Sequence, residues 1–214
     1  MTSLTVLYCT SNRENPAFEQ RVQATLVTNS SPLPIISVSQ QPINLGTNIC
    51  IGDIGASPEN YFKQMLIGAE AATTPYICTA EADFLYPPDY FQFRPYRPDM
   101  FYLAGPLYVL YSSGRRMCRF YSKRPVEAAC IVGRDHLIYS LKHYMVPGAN
   151  TRTSKLCDLG WRKIIHLSAP IITFKTGNGL HWSTPMSIRS WDSELPYWGS
   201  ATNVLRRYYE NTTI

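Results

Sequence analysis

Glu81 and Asp83 stand one residue apart in the stretch TPYICTAEADFLYPPDY (74–90), after the apolar run Tyr76-Ile77-Cys78 and before an aromatic stretch with a double proline. Two carboxylates at i and i+2, where an extended segment begins to turn, can both reach one divalent cation. Hard oxygen ligands suit Mg2+ or Mn2+, which keep waters and bridge to phosphate oxygens. A cation held there offsets pyrophosphate charge and makes it a better leaving group. The competing reading of the pair is two solvated loop acids, so the decision falls to the elements around it.

The chain before the pair alternates between strand and helix patterns. LTVLYCTS (4–11) is a β-branched run ending in small polar residues, the pattern of a first buried strand. ENPAFEQRVQATLVTNS (14–30) predicts a helix with Phe18, Val22 and Leu26 on one stripe. SPLPIISVSQ (31–40) predicts a second strand and NICIGDIGAS (48–57) a third, short one. Ser57 then caps a helix with Pro58 at its first position, running through residue 73. PYICTA (75–80) is the strand that delivers the acids. This alternation implies an α/β fold, a mainly parallel sheet with helices on both faces, and ligands on such sheets bind at the carboxyl ends of the strands. Thr10-Ser11-Asn12, Ser39-Gln40 and Glu81–Asp83 all fall at such ends.

The second half reads differently. MFYLAGPLYVLYSS (100–113) and RRMCRFYSK (115–123) predict a hairpin around Ser113-Gly114. VEAACIVGRDHLIYSLKHYM (126–145) holds a short apolar run and then a helix. TSKLCDLGWRK (153–163) predicts a short helix, IIHLSAPIITF (164–174) a strand, KTGNGLHWST (175–184) a Gly-rich loop, and residues 191–214 a tail. With no repeat or flexible linker, the halves 1–98 and 99–190 are expected to share one core.

At 214 residues, 45% hydrophobic and 16% charged, the chain has the composition of one globular domain rather than a disordered one. A net charge of +5 tolerates anionic partners, but there is no basic tail to make nucleic acid the default. The six cysteines form no C-x-x-C pair, and several sit in strand-like runs as buried thiols do. Reduced, structural cysteines and a start, MTSLTVLYCTSN, without a leader or membrane span predict a cytoplasmic protein. The sequons at Asn29 and Asn211 then carry no meaning.

LTVLYCTSNRE and ENYFKQMLIGAEAATTPYICTAEADFLYPPDYF together resemble the nucleotide-diphospho-sugar glycosyltransferases of the GT-A fold, family-2-like, over residues 4–93. The acidic motif is Glu-Ala-Asp where that family carries D-x-D. The resemblance implies Asp83 as the main ligand of Mn2+ or Mg2+, with Glu81 at ribose or metal. It implies Lys63 and Gln64 facing the nucleotide or its phosphates, and Thr10, Asn12 and Arg13 in a base pocket with Ser39 and Gln40 as its other wall. His181, on the loop with Gly177 and Gly179, matches a further metal or pyrophosphate ligand of the fold; His136, His143 and His166 read as structural.

The family's acidic pair for the general base is missing between residues 120 and 165. Glu127 and Asp135 are the candidates for that acid, ahead of Asp158; a configuration-retaining enzyme would need none. The implied function is metal-dependent glycosyl transfer from a nucleotide-sugar donor, a UDP-sugar in the first instance. Two alternatives stand beside it. A nucleotidyltransferase would open with a Gly-rich basic loop after its first strand, and CTSNRENP has no glycine. A non-catalytic nucleotide- or nucleic-acid-binding module would keep the fold without the chemistry.

The acceptor is open, and FRPYRP and SSGRRMCRFYSKRP interleave Arg with aromatics in a way that suits phosphate contact plus base stacking. A hydroxylated base in DNA, flipped from the stack, is therefore one candidate acceptor; solvated rim arginines are the competing reading. As a strand, 115–124 would carry Arg115, Arg119, Tyr121 and Lys123 on one face and Arg116, Phe120 and Arg124 on the other.

Overall fold

The computed structural model describes residues 4–145, 156, 160–178 and 185–209. Its first strand, β1 (Leu4–Thr10), is buried along its whole length because parallel strands pair with it on both sides. One is β2 (Ile35–Ser39), which carries β3 (Thr47–Cys50) beyond it; the other is β4 (Tyr76–Glu81). Between them run α1 (Pro16–Ser30) and α2 (Pro58–Ala71). Asn15 caps α1 by accepting from the N–H groups of Ala17 and Phe18, and Ser57 caps α2 by accepting from Asn60 N–H. Each helix has proline in its first turn, where the missing N–H costs nothing.

The sheet continues through β5 (Phe84–Leu85), β6 (Met100–Tyr111), β7 (Phe120–Lys123), β8 (Cys130–Gly133) and β9 (Trp161–Lys175). Its order is β3-β2-β1-β4-β8-β6-β9-β5, with β7 paired to β6. Strands β1, β2, β3, β4, β6 and β9 share one direction, and β5, β7 and β8 oppose it. The fold is thus α/β, Rossmann-like and mainly parallel. α2 and α4 (Arg134–Tyr144) cover one face, burying Phe62, Met65, Leu137 and Leu141 with Leu7 and Val38. α1 and α3 (Pro88–Gln92) lie together, and Leu26 of α1 and Tyr90 of α3 share a core cluster with Leu4, Val6 and Ile171. That cluster joins residues from both halves of the chain.

The structure departs from the expectations in three places. Residues 191–209 are not a tail: β10 (Glu194–Leu195) and β11 (Gly199–Ser200) pair antiparallel, and α5 (Ala201–Tyr209) follows. Val204, Leu205 and Tyr208 of α5 close a core cluster with Phe18 of α1, Leu85 and Phe174. Trp161–Lys163, expected to end a helix, open β9 instead, because β6 is long enough to pair with them from Met100 onward. The rest of that expected helix lies mostly outside the described residues.

The hairpin forms, but β7 is short, and Arg115, Arg116 and Arg119 lie exposed on the connection from β6 rather than on a strand face. Phe120 and Tyr121 are both buried. Cys9, Cys78 and Cys130 are buried and Cys50 and Cys118 exposed, none of them in a disulfide, and Cys157 is outside the described residues.

Candidate functional site

Strand ends converge on the acid pair. Cys9 near the end of β1 is in register with Glu81 at the end of β4. Two residues on, the Asp83 carbonyl accepts the Phe174 N–H at 2.8 Å, which brings in the end of β9. The Thr176 hydroxyl, just past β9, donates to the Glu14 carboxylate at 2.9 Å and ties the loop after β1 to the same place. Glu14, from the loop after β1, therefore joins Glu81 and Asp83 at the end of β4, with Lys175 at the end of β9 and Lys123 at the end of β7 within Coulombic reach.

The electrostatics follow from crowding like charges away from water. Burial first, then repulsion from Glu81, pushes the Asp83 carboxyl up to about 7, against the pull of Lys123 and Lys175. Burial and the Asp83 charge likewise push Glu14 up to about 7, opposed by the Thr176 hydrogen bond and Lys175. Glu81 is raised by burial and by Glu127, and lowered by the neighbouring Tyr61 phenol and Lys123. The Tyr61 phenol oxygen is buried without a partner of hydrogen-bond geometry among the described residues.

The residues expected to meet the nucleotide, in the base pocket or at its phosphates, divide in two. Several have their polar atoms committed inside the protein. Gln64 is buried, and its amide nitrogen donates to the carbonyls of Thr10 (2.8 Å) and Val38 (3.1 Å). It staples the ends of β1 and β2. Ser39 is buried and accepts from Asn48 at 2.9 Å, and the Thr10 hydroxyl accepts the Asn12 N–H at 2.9 Å. Gln40 donates to Gly55 O at 2.8 Å and accepts from Ile54 N–H at 3.3 Å. Asn12 sits in the left-handed region at φ 55° and accepts the N–H groups of Gln40 and Gln41 at 2.9 and 2.8 Å. These bonds lace together the loops after β1, β2 and β3. Arg13 and Lys63 are exposed, Lys63 contacting Asn60 at 3.4 Å, and can meet a ligand over that rim.

The two candidate general bases are separated by the topology. Glu127, in a 3-10 turn (Glu127–Ala129), is near enough to raise the Glu81 pKa, and its carbonyl accepts the Thr79 hydroxyl at 2.7 Å. Asp135 is not part of the cluster. β8 runs antiparallel to β4 with Gly133 opposite Tyr76, so α4 begins at the amino end of β4, the far end of the sheet from Glu81. Asp135 is exposed there and paired with Arg134 at 2.9 Å. His181 and Asp158 lie outside the described residues.

The sequence reading missed Glu14, Lys175 and the inward placement of Lys123. The loop after β1 and the residue closing β9 both stand at strand carboxyl ends, and that rule was the signal available for the first two.

Among the described residues no three of His, Cys, Asp and Glu are grouped as a metal-binding set. Glu81 and Asp83 fit a cation of the Mg2+ or Mn2+ type, which takes one or two protein carboxylates and completes its shell with phosphate oxygens and water. Bound there, it would supply charge neutralisation at a phosphate.

Among the described residues no helix is long and apolar enough to cross a membrane. No protein-family model matches the sequence, and no curated protein matches it. Solved structures do. The inositol-1-phosphate CTP transferase from T. maritima superimposes with a TM-score of 0.52 over 100% of this chain and 99% of that one, at 8% identity. A glycosyltransferase involved in the glycosylation of the major capsid of PBCV-1 gives 0.48 over 79% and 92%, at 10% identity. S. aureus TarS gives 0.47 over 81% of this chain and 37% of its own, at 8% identity. The chain shares the fold of the T. maritima enzyme from end to end.

Proposed function

We propose that this chain is a transferase that takes its donor group from a nucleotide and holds the donor's phosphates at the carboxyl ends of β1, β4 and β9. The observation that supports it is the gathering of Glu81 and Asp83 at the end of β4, beside the polar loop of β1 and opposite two lysines. In the finer reading the donor is a nucleotide sugar, first a UDP-sugar, and Asp83 with Glu81 holds Mn2+ or Mg2+ against its diphosphate. Arg13 and Lys63 line the exposed rim, and Glu127 is an acid close enough to raise the Glu81 carboxyl. The acceptor is an anionic polymer such as DNA, meeting the arginines of the β6–β7 connection. A second reading, nucleotidyl transfer, draws support from the full-length fold likeness to a CTP transferase.

One assay separates the two. The protein is incubated with Mn2+ and either UDP-sugars or CTP, and released UDP and pyrophosphate are measured. Glycosyl chemistry releases UDP from the sugar nucleotide, and nucleotidyl chemistry releases pyrophosphate from CTP. Asp83→Asn is expected to lower the active signal by at least about 100-fold, the size of a lost charge-stabilising group at a reacting centre. Equal turnover in parent and variant would remove Asp83 from the chemistry.

A further inference from the structure

Lys123 and Lys175 end β7 and β9, the two strands that flank the carboxyl-terminal half of β6. Both are half-buried, unlike the exposed arginines nearby. Lys175 is fixed from two sides. It follows Phe174, whose N–H bonds the Asp83 carbonyl at 2.8 Å, and its own carbonyl accepts from the Ser112 N–H (3.2 Å) and hydroxyl (3.0 Å). Lys123 is within Coulombic reach of Glu81 and Asp83, and Lys175 of Asp83 and Glu14. A diphosphate brought to these strand ends meets three acidic side chains, and one divalent cation held by two of them offsets only part of the diphosphate's own charge. A lysine ammonium is a compact charge with three donors, suited to phosphate oxygens.

We infer that Lys123 and Lys175 are the phosphate ligands of a nucleoside diphosphate at this site, gripping its oxygens from the β6 side while Glu81 and Asp83 hold the cation. This rests on the function proposed above. It adds a shared requirement: donor binding depends on both strands that flank the end of β6, so the acceptor-side half of the chain takes part in holding the donor.

Calorimetric titration of the full chain with UDP, CDP and inorganic pyrophosphate, each with Mn2+ or with chelator, tests the assignment. Lys123→Met and Lys175→Met are each expected to weaken all three probes at least tenfold, pyrophosphate included because it has neither base nor sugar. Lys123→Gln and Lys175→Gln, which keep a donor for the facing carboxylates, serve if the Met variants do not fold. Parent-like affinity in folded variants would overturn the assignment and leave the lysines as counter-charges for the acids. Weakened UDP with unchanged pyrophosphate would overturn it as well, moving the lysines to the sugar or base. A parent that binds none of the three would overturn the functional reading itself.

Discussion

Asp83 and Glu14 are held protonated by the fold up to about pH 7, whereas in an unfolded chain they ionise near their ordinary values. Between those limits the native state binds more protons than the unfolded one, so stability rises as pH falls from about 7 toward about 4 and is lost as pH rises through 7. Asp83→Asn, uncharged at every pH, removes its share of that slope. The variant is expected to be more stable than the parent at pH 8 by about 2 kcal/mol, a figure discounted for partial water access, and to converge with it near pH 4. Thermal unfolding across that range in chelator gives the difference, and parallel curves would show that Asp83 is ionised without strain. The pair Glu81–Asp83 was legible in the sequence because two acids interrupt an apolar run at a strand end. Glu14 and Lys175 were not. Lys175 meets Asp83 through the docking of β9 against β5, a contact between segments more than eighty residues apart that no local pattern encodes, and Thr176 ties Glu14 to the same place. Gln64 is the opposite case: helical position puts it at the strand ends, but only the fold shows that its amide nitrogen donates to two carbonyls there.

Among the elements, the first half was readable because each strand and helix carries its own boundary chemistry, with caps at Asn15 and Ser57 and prolines in the first turns. The second half depends on pairing. β9 gains Trp161–Lys163 from β6, and α5 earns its place through Tyr208 and Leu205 against α1 rather than through any local signal. The junction of β8 with α4 shows how tightly such pairing is built. Gly133 has an ordinary backbone, φ −61°, but a Cβ there would run into the Pro98 carbonyl oxygen, which cannot rotate away as a side chain could. Gly133→Ala is therefore expected to cost about 2 kcal/mol or more through overpacking. Because the junction lies at the far end of the sheet from Asp83, nucleotide affinity per folded molecule should not change. Denaturant unfolding and a nucleotide titration on the same sample check both halves, and a neutral substitution would mean that the β8–α4 junction moves freely.

At the scale of the whole molecule, one group of exposed arginines stands at the same end of the sheet as the acid cluster. β6 and β9 run parallel to β4, so the connection after Tyr111 lies at the same end of the sheet as Asp83. Arg119 stacks over Trp191 at 4.3 Å and Arg116 over Tyr111 at 5.3 Å, with a hydrogen bond to that phenol at 3.1 Å. The chain around Trp191 is held along β7 by the Met186 N–H to Ser122 O bond and by the Phe120–Asp192 pair. Arg115, Arg116, Arg119, Met186 and Trp191 thus make an exposed, basic and aromatic surface whose supporting strand ends in Lys123, within Coulombic reach of Asp83. A polyanion lying across it would reach the donor end of the sheet. Binding of single-stranded and duplex DNA should then fall steeply with salt, because each neutralised phosphate releases counterions. Arg115→Ala with Arg119→Ala should reduce the slope of log affinity against log salt by up to about 2, and leave donor hydrolysis unchanged. Were the parent to show no affinity for DNA even at low salt, the acceptor would be a small molecule, a protein or a glycan. The stacked arginines would then serve to pin the Trp191 segment to the β6–β7 connection.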